Sequence, residues 1–581
     1  MPSLLGALAG TAGAAVGLAF GELAEGASES IPSLVVAVSE LLSDYTPGDV
    51  VRFSIANFGA SQKTLLTAGI IVGSLVLGGV LGRFAARGRT RAALAGFALF
   101  GLLGGWAAAR NPISPAAGSW VVGLAAAALA AGTTLLLVGR LAERTVGSPA
   151  ALPPDQGAPY PGSPDQGAPD QGAPYPGSPE SSAGVVAPAG GVRTRRAFLA
   201  YAGGAGAAAL AMVGLGRALR GQSAAEQFLE TNTLRATAAT TAPPTTTGAV
   251  AATEPALAAA DAPHPAGSPV EVQVAALDTL DDDVAGIASY VTPNDSFYRI
   301  DTAFGRVPQV DPADWRLRIG GMVDNPYELT FDELQAMDLS DCVITLSCVS
   351  NRVGGNLVGN AVWTGVPLSV LLDRAGVQAG ADQVVGRSVD DWTAGFPTPL
   401  VYDGRNAILA IGMNGEFLPT AHGFPARLVV AGLYGYVSAV KWIDEIRLTT
   451  WDGFDGYWVP RGWSKEGPMK TQSRIDVPVA GRGLVAGQTT PIAGVAWAPT
   501  RGIERVEVNI DDGGWLPCQL GEALDDESWV QWHREWTPGE GRHRIQVRAT
   551  DGDGITQGGE PVDPAPNGAE GWHTITVTAE T

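Results

Sequence analysis

The sequence predicts an α-helical membrane region followed by two globular domains, the first of mixed α+β class and the second an all-β sandwich. Three observations support this. Apolar runs of about 20 residues fill the first third of the chain. From about residue 266, aromatic residues appear between turn residues, and beyond residue 477 only strand-like segments remain. At about 150 residues per domain, a chain of 581 residues has room for several such units.

The membrane region is predicted from runs long enough to cross about 30 Å of hydrocarbon. Residues 1–145 should hold about four transmembrane helices, and residues 193–220 a further anchor. The first of the four is the weakest, because its Gly and Ala residues gain little on insertion, and a signal-like or loosely packed segment is the alternative. Between the first two spans, apolar and polar residues alternate over residues 31–42, and this segment should lie along the membrane interface. The runs are residues 4–20, 64–81, 92–109, 120–138 and 197–214.

Arginines near the ends of these runs predict the orientation, since cytoplasmic loops are rich in Lys and Arg. The most basic short loop holds Arg83, Arg87, Arg89 and Arg91, which places the part beyond about residue 220 outside the cytoplasmic membrane. The letters TRRAFL at residues 194–199 resemble a twin-arginine export signal, with a pair of positive-inside arginines as the alternative.

Two segments of biased composition frame the anchor. Residues 146–192 repeat PDQGAP and PYPGSP units and should form a disordered Pro/Gly-rich linker. Residues 221–265 are rich in Ala, Thr and Pro and should form a flexible stalk. Their predicted function is to let the downstream domains extend away from the membrane.

The formal charge of −21 is unevenly distributed, because acidic residues outnumber basic ones about two to one beyond residue 240. Such a surface repels phosphate, so no nucleic-acid partner is expected. Only four lysines occur, and this scarcity together with the excess of Asp and Glu suggests a halophilic, haloarchaeal source. An acidic extracellular domain from a GC-rich genome is the alternative.

The globular part divides near residue 477. Residues 315–319 and 343–346 are predicted strands, and residues 331–337 and 367–375 predicted helices, which gives an α+β domain over residues 266–476. Residues 477–581 contain only strand-like segments, separated by turns such as DDGG and DGDG, as expected for a β-sandwich. The predicted sandwich strands are residues 491–496, 503–510, 515–520, 529–536, 541–549 and 571–578.

The residue with the clearest chemical role is Cys348. A predicted strand ends at Ser347 and delivers Cys348 to a loop rich in Gly and Asn, where the backbone can approach a ligand closely. A thiolate on such a loop suits a transition metal. Taken alone, however, a cysteine at a strand end is more often a buried apolar residue.

The surrounding residues resemble the molybdopterin-binding domain of the sulfite oxidase family. In that family a C-x-x-N-R loop supplies the single protein ligand to molybdenum, which implies Cys348 as metal ligand, with Asn351 and Arg352 as catalytic residues. The resemblance covers roughly residues 285–575. It implies a molybdenum–molybdopterin cofactor and, for residues 477–581, an immunoglobulin-like dimerisation domain through which the chain would form a homodimer.

Two further blocks carry the same resemblance. HGFPARLVVAGLYGYVSAVKWIDEI, residues 422–446, is similar to the family's pterin-phosphate site, and Arg and Lys are suited to a buried phosphate. TPNDSFYRIDT, residues 292–302, is similar to an entry segment that lines the cofactor, and an acidic residue in GRSVDDWTAGF matches one that meets the pterin. The implied cofactor-binding residues are Phe297, Tyr298, Arg299, Asp301, Asp390, His422, Arg427, Ser438, Val440 and Lys441.

Three departures from the sulfite-oxidising enzymes concern the substrate. Ile300 and Val353 stand where those enzymes have arginines, and Ala394 roughly where they have a tyrosine. Without these groups an apolar pocket does not offset the desolvation of a dianion. Arg299 is a poor substitute, because one step along an extended segment turns the side chain the other way.

The predicted function is therefore two-electron oxygen-atom transfer on a small-molecule substrate outside the cytoplasmic membrane. Oxidation of a small sulfur compound and reduction of a sulfoxide-like or other oxygenated substrate both stay open. No haem is expected, since none of the five histidines lies in the membrane region, so electrons should pass to a separate protein or to membrane quinone. A catalytically silent, membrane-anchored envelope scaffold is the alternative from another class.

The other candidate residues are interpreted as packing. Cys342 lies in the same predicted strand as Cys348, and Cys518 in a sandwich strand. His533, His543 and His573 lack metal-ligand spacing. The tryptophans of the sandwich are expected in its core or in a subunit interface.

Overall fold

The computed structural model describes residues 2–28, 31–58, 61–112, 114–142, 193–234, 270–304 and 307–581. The predicted linker and most of the predicted stalk lie outside these residues. Within them the chain forms two compact units. The first comprises Met1–Ala27, Gly69–Trp106 and Ser119–Ala218. The second comprises Ser28–Ala68, Ala107–Gly118 and Leu219–Thr581, and it contains both globular domains.

The described residues up to 142, and those from 193 to 219, are mainly helical, as their apolar runs predict. Five of the described helical segments are long and apolar enough to cross a membrane, and they include all five predicted runs. Residues 31–42, predicted to lie along the membrane interface, fall largely within a separate helix. The helices are α1 (Pro2–Ala27), α2 (Leu34–Tyr45), α3 (Gly48–Phe58), α4 (Gln62–Ala86), α5 (Thr90–Ala109), α6 (Ala116–Ala142) and α7 (Arg193–Leu219).

Small residues let α1 and α4 approach closely in the first unit. Gly78 and Gly82 of α4 face Gly10 and Gly6 of α1, and a Cβ at any of these positions would collide with the opposing backbone or side chain. Close approach of this kind provides the packing that associates helices in lipid. Gly73 of α4 has open space around it and takes no part in this contact.

The α+β domain of the second unit consists of two sheets and short helices around one large core. The first sheet has the strand order β2-β1-β10-β5-β6, and the second has the order β3-β4-β7-β8 with β9 paired to β7. The strands are β1 (Arg316–Gly321), β2 (Tyr327–Thr330), β3 (Ser340–Ser347), β4 (Val358–Pro367), β5 (Gln383–Ser388), β6 (Thr393–Pro397), β7 (Ala407–Met413), β8 (Glu416–Phe417), β9 (Arg427–Val430) and β10 (Ile443–Thr449). The helices are α8 (Ala224–Thr231), α9 (Val270–Ala275), α10 (Phe331–Gln335), α11 (Leu368–Ala375) and α12 (Gly435–Ser438).

The C-terminal domain is a two-sheet sandwich whose first strand begins at Gln472, before the predicted boundary at residue 477. One sheet has the order β11-β13-β17-β16 and the other β12-β19-β18-β14-β15. Residues of both sheets, such as Trp532 and Val547, share one buried cluster. The strands are β11 (Gln472–Val477), β12 (Gly483–Val485), β13 (Thr490–Trp497), β14 (Ile503–Ile510), β15 (Trp515–Pro517), β16 (Gln519–Leu520), β17 (Val530–Trp536), β18 (Gly541–Asp551) and β19 (His573–Glu580). The predicted strand 515–520 is divided between β15 and β16, which pair with different sheets.

The start of the predicted flexible stalk is instead the helix α8. Ser223 and Glu226 form a capping box at its N-terminus, and Ala225 is buried in the core of the α+β domain. The ring of Phe228 lies 5.3–5.6 Å from the rings of Phe331, Phe417 and Phe424. This helix could not be predicted from the composition of residues 221–265, because the helix has few apolar positions.

Replacement of Phe228 by alanine tests whether α8 is part of the domain. We expect Phe228→Ala to lower the free energy of unfolding of the α+β domain by about 2 kcal/mol, less than for a fully buried ring because Phe228 is half-buried. Denaturant unfolding measures the change. Gln227→Ala, at an exposed position of the same helix, is the control. Equal stability of both variants and the unaltered protein would contradict the docking of α8.

Candidate active site

Strand β3 delivers Cys348 as the sequence predicts. The strand ends at Ser347, and its partner β4 begins at Val358, so residues 348–357 form the connecting loop. The backbone N–H of Cys348 donates to Leu357 O at 2.9 Å, and the Asn351 side chain accepts from the N–H of Leu357 at 2.9 Å. These bonds close the loop and hold the thiol at its base.

The Cys348 thiol is buried, with 8% of the residue exposed, and its Sγ lies 3.0 Å from Ser350 Oγ. Burial raises the pKa of this thiol, while the Ser350 hydrogen bond and the charge of Lys441 oppose the rise. A free Cys348 therefore keeps its proton at neutral pH. A bound metal cation would favour the thiolate, as for other metal-ligating cysteines.

A cavity opens beside Cys348 and brings together residues from four separate segments. Seven of the predicted site residues line it, together with eight that the sequence analysis did not assign to the site. The predicted residues are Phe297, Tyr298, Asp301, Cys348, Asp390, Arg427 and Lys441. The others are Ile300, Thr302, Ser388, Trp392, Gly435, Tyr436, Ala439 and Trp442. All eight lie within the sequence blocks that carry the family resemblance, so membership of those blocks is the signal that could have identified them.

Arg427, the first residue of β9, places a buried cation at this cavity. Only 4% of the residue is exposed, and its guanidinium donates to His422 O at 3.1 Å and lies over the Trp363 ring at 4.9 Å. No carboxylate pairs with it among the described residues. Burial lowers the pKa of Arg427 to about 10, which still leaves it charged at neutral pH. An unpaired buried cation requires an anion, and a phosphate meets that need.

Lys441 supplies the second buried cation. It lies just before β10, and its Nζ donates to Asp301 Oδ2 at 3.1 Å and to Ala421 O at 3.2 Å. Burial lowers the pKa of Lys441 to about 8, although Asp301 opposes the change. Burial would raise the pKa of Asp301, but Lys441 and Arg299 hold it well below its usual value. Asp301 is therefore ionised across the physiological range.

Six predicted residues do not line the cavity. His422 and Asn351 are buried beside it, and Arg299 turns to Asp301, with Nε donating to Oδ2 at 2.7 Å. Burial and the charge of Arg427 lower the pKa of His422 to about 4, so its imidazole is neutral at pH 7. Its Nε2 lies 3.1 Å from Asn294 O. Ser438 and Val440 are fully buried, and Arg352 is exposed.

The residues present fit a molybdopterin cofactor. A single soft thiol lies at one cavity with two buried cations, of which Arg427 has no carboxylate partner among the described residues. The aromatic residues Phe297, Tyr298 and Trp442 provide apolar walls for a pterin ring. No group of three or more His, Cys, Asp or Glu that could hold a metal ion by itself occurs among the described residues. The donor set therefore suits a metal whose other ligands come from an organic cofactor.

Comparisons with known proteins indicate the family to which the α+β domain belongs. The family "Oxidoreductase molybdopterin binding domain" matches residues 304–458. "Sulfite oxidase" of Arabidopsis thaliana is 28% identical over 305 residues, which cover 44% of this chain and 72% of that protein. "Uncharacterized oxidoreductase YuiH" of Bacillus subtilis (strain 168) is 32% identical over 170 residues, which cover 29% of this chain and 82% of that protein. The structure of "Sulfane Dehydrogenase SoxCD" from Paracoccus pantotrophus is 23% identical, covers 56% of this chain and 96% of that chain, and gives a TM-score of 0.43.

The α+β domain and its site thus define a molybdopterin-dependent oxidoreductase. The chain belongs to the family with the oxidoreductase molybdopterin-binding domain and is sulfite oxidase-like. The predicted enzyme class is confirmed, and the alternative of a catalytically silent scaffold is not supported.

Proposed function

We propose that the protein transfers an oxygen atom to or from a small, uncharged substrate, with Cys348 as the protein ligand to molybdenum. One observation carries the proposal: the Cys348 thiol and the buried cations Arg427 and Lys441 line a single cavity, although the cysteine is about 80 residues from the nearer cation in the sequence. When bound, the cofactor supplies the two-electron oxygen-atom transfer. The protein's own residues hold the cofactor, exclude water and select the substrate.

The roles proposed for the other residues follow from their contacts. Arg427 binds the cofactor phosphate, and His422 positions Arg427 through the hydrogen bond to its carbonyl oxygen. Asn351 closes the loop that presents Cys348. Arg352, Ser438 and Val440 lie outside the cavity lining, and for them we propose only a supporting place next to the cofactor segments.

The cavity wall supports an uncharged substrate. Ile300, which stands where the sulfite-oxidising enzymes carry an arginine, lines the cavity and is 39% exposed. Ala394, in place of their tyrosine, is buried in β6. An apolar wall cannot replace the water that a dianion loses on entry. An uncharged, sulfoxide-like molecule loses far less hydration free energy when it enters such a cavity.

The setting of the reaction is proposed from the sequence. The candidate spans support a membrane-bound enzyme, and the arginine pattern of the sequence favours a catalytic domain outside the cytoplasmic membrane. Electrons would pass through a separate redox protein or membrane quinone. The sandwich, which we propose is immunoglobulin-like, would form a homodimer.

A substrate panel tests the proposal. With an artificial electron carrier, we expect turnover of an uncharged sulfoxide or sulfide at a kcat/KM at least about tenfold above that for sulfite or chlorate. Introducing an arginine by Ile300→Arg should reverse part of this preference, whereas Ile300→Val should not. Elemental analysis should find about one molybdenum per chain. Equal or better turnover of sulfite by the unaltered enzyme would contradict the proposed substrate class.

A further inference from the structure

The described residues of Ser28–Ala68, which include α2, α3 and the start of α4, pack against the catalytic domain within the second unit. The Arg52 guanidinium donates to Arg461 O at 2.7 Å, and Tyr457 Oη donates to Asp44 Oδ1 at 3.2 Å. Ile55 of α3 contacts the apolar core of the α+β domain. Residues that composition assigns to the membrane region therefore form part of the catalytic domain's surface.

One side chain of this segment reaches the cofactor cavity wall. Lys63, in the first turn of α4, donates from Nζ to Asp301 O at 2.5 Å and to Ala303 O at 2.7 Å. The same nitrogen lies 3.3 Å from Asp301 Oδ1 and 5.3 Å from the centre of the Phe304 ring. Lys63 thus binds both the backbone and the carboxylate of a stretch that has no helix or strand hydrogen bonds of its own.

The contact matters because Asp301 is shared by three cations. Lys441 lies 3.1 Å from its Oδ2, Arg299 2.7 Å from the same oxygen, and Lys63 3.3 Å from Oδ1. The Asp301 side chain is only 7% exposed, so solvent screens these charges weakly. The position of the carboxylate in turn fixes Lys441, one of the two buried cations at the cavity. A disturbance at Lys63 therefore reaches Lys441 through one shared carboxylate.

The same stretch separates the cofactor cavity from a second one. This second cavity, of about 230 Å³, is lined by Glu40, Ser43 and Asp44 of α2 and by Arg110 and Asn111. Thr302, Asp390 and Trp392 line both cavities. Residues 301–304, which Lys63 contacts at Asp301 and Ala303, thus form part of the wall between the two cavities.

We propose that Lys63 is a positioning residue of the cofactor site, contributed by the N-terminal region. It holds Asp301 and the backbone of residues 301–303 in place, and through Asp301 it orients Lys441 toward the cofactor. The inference rests on the proposed function only in that a molybdenum cofactor fills the first cavity. The N-terminal region is then a structural part of the catalytic site as well as an anchor.

Three variants of the full-length, detergent-solubilised protein test the proposal. Lys63→Met removes the charge and the hydrogen bonds, and Lys63→Arg keeps a cation. Arg52→Met is the matched control, because Arg52 also ties the same segment to the catalytic domain but bonds to Arg461 O, away from Asp301. The measurements are the rate of molybdenum release during dialysis and the amide hydrogen exchange of residues 297–304.

We expect Lys63→Met to release molybdenum at least fivefold faster than the unaltered protein does. The amide hydrogens of residues 297–304 should exchange at least tenfold faster in this variant. Lys63→Arg should restore most of both properties, and Arg52→Met should leave both within twofold. Release and exchange unchanged in Lys63→Met, or changed equally in Arg52→Met, would overturn the proposal. A protein that contains no molybdenum before any substitution would contradict the proposed function instead, while amide exchange in that sample would still decide the role of Lys63.

Discussion

Replacing Cys348 by serine should abolish turnover and leave the fold intact. The two side chains differ by one atom, and the Cys348 environment already contains a hydroxyl partner, Ser350, at 3.0 Å. A serine hydroxyl is a harder and far less acidic ligand than a thiol, so it does not replace the soft thiolate at a transition metal. We expect kcat to fall by about a thousandfold or more, equivalent to about 4 kcal/mol of transition-state stabilisation.

Steady-state kinetics with an artificial electron carrier measure the change, and far-UV circular dichroism checks the fold. Cys518→Ser is the matched control, since Cys518 lies in the sandwich at a half-buried position and should retain full activity. Cys342→Ser is a second control, because Cys342 is packed in β3, with Sγ 3.8 Å from Trp363 O. Undiminished activity of Cys348→Ser would exclude Cys348 as the metal ligand.

Replacing Arg427 by methionine should empty the cofactor site while stabilising the cofactor-free protein. The guanidinium is buried and has only carbonyl partners and an aromatic face among the described residues. If it binds a phosphate, its loss should cost about 2–5 kcal/mol of cofactor binding, or roughly 30-fold to several thousandfold in affinity. Without cofactor, the same buried charge is a burden that an apolar side chain of similar length relieves.

The measurements are the molybdenum content of the purified protein and the thermal unfolding midpoint of the cofactor-free protein. Arg387→Met is the control, because Arg387 pairs with Asp444 and Glu445 at 2.9 Å outside the cavity lining. We expect that variant to keep its molybdenum and to lose a little stability. An Arg427→Met protein with full molybdenum content would rule out a role for Arg427 in cofactor binding.

Local sequence predicted those parts of the site that lie in continuous blocks. Cys348 could be placed because the apolar strand before it and the Gly-rich loop after it are both readable from neighbouring residues. Arg427 and Lys441 could be assigned because they share one block with β9 and α12. Most strands of the sandwich were predictable because apolar and polar residues alternate along them and turns recur between them. β11 was missed because it lies before the predicted boundary at residue 477, and β12 because it has only three residues.

Two features were beyond the reach of local pattern. The helix α8 lies in a stretch whose composition is typical of a flexible stalk, and its stability comes from three phenylalanines more than 100 residues away. Lys63 lies at the start of an apolar helix, where a lone lysine is ordinarily interpreted as an interface anchor. Its partner Asp301 is 238 residues distant.

The sequence alone determined the order of the parts, the candidate spans, the strand that presents Cys348 and the family of its cofactor domain, because periodicity and motifs are properties of adjacent residues. Only the tertiary structure decided which side chains line the cavity, that His422 and Arg299 bond to neighbours at its edge, and that Lys63 contacts residues 301 and 303 in its wall. The physical reason is that a buried charge pairs with a group that the fold brings close in space. Such a partner can be hundreds of residues away in the sequence, so a local pattern does not identify it.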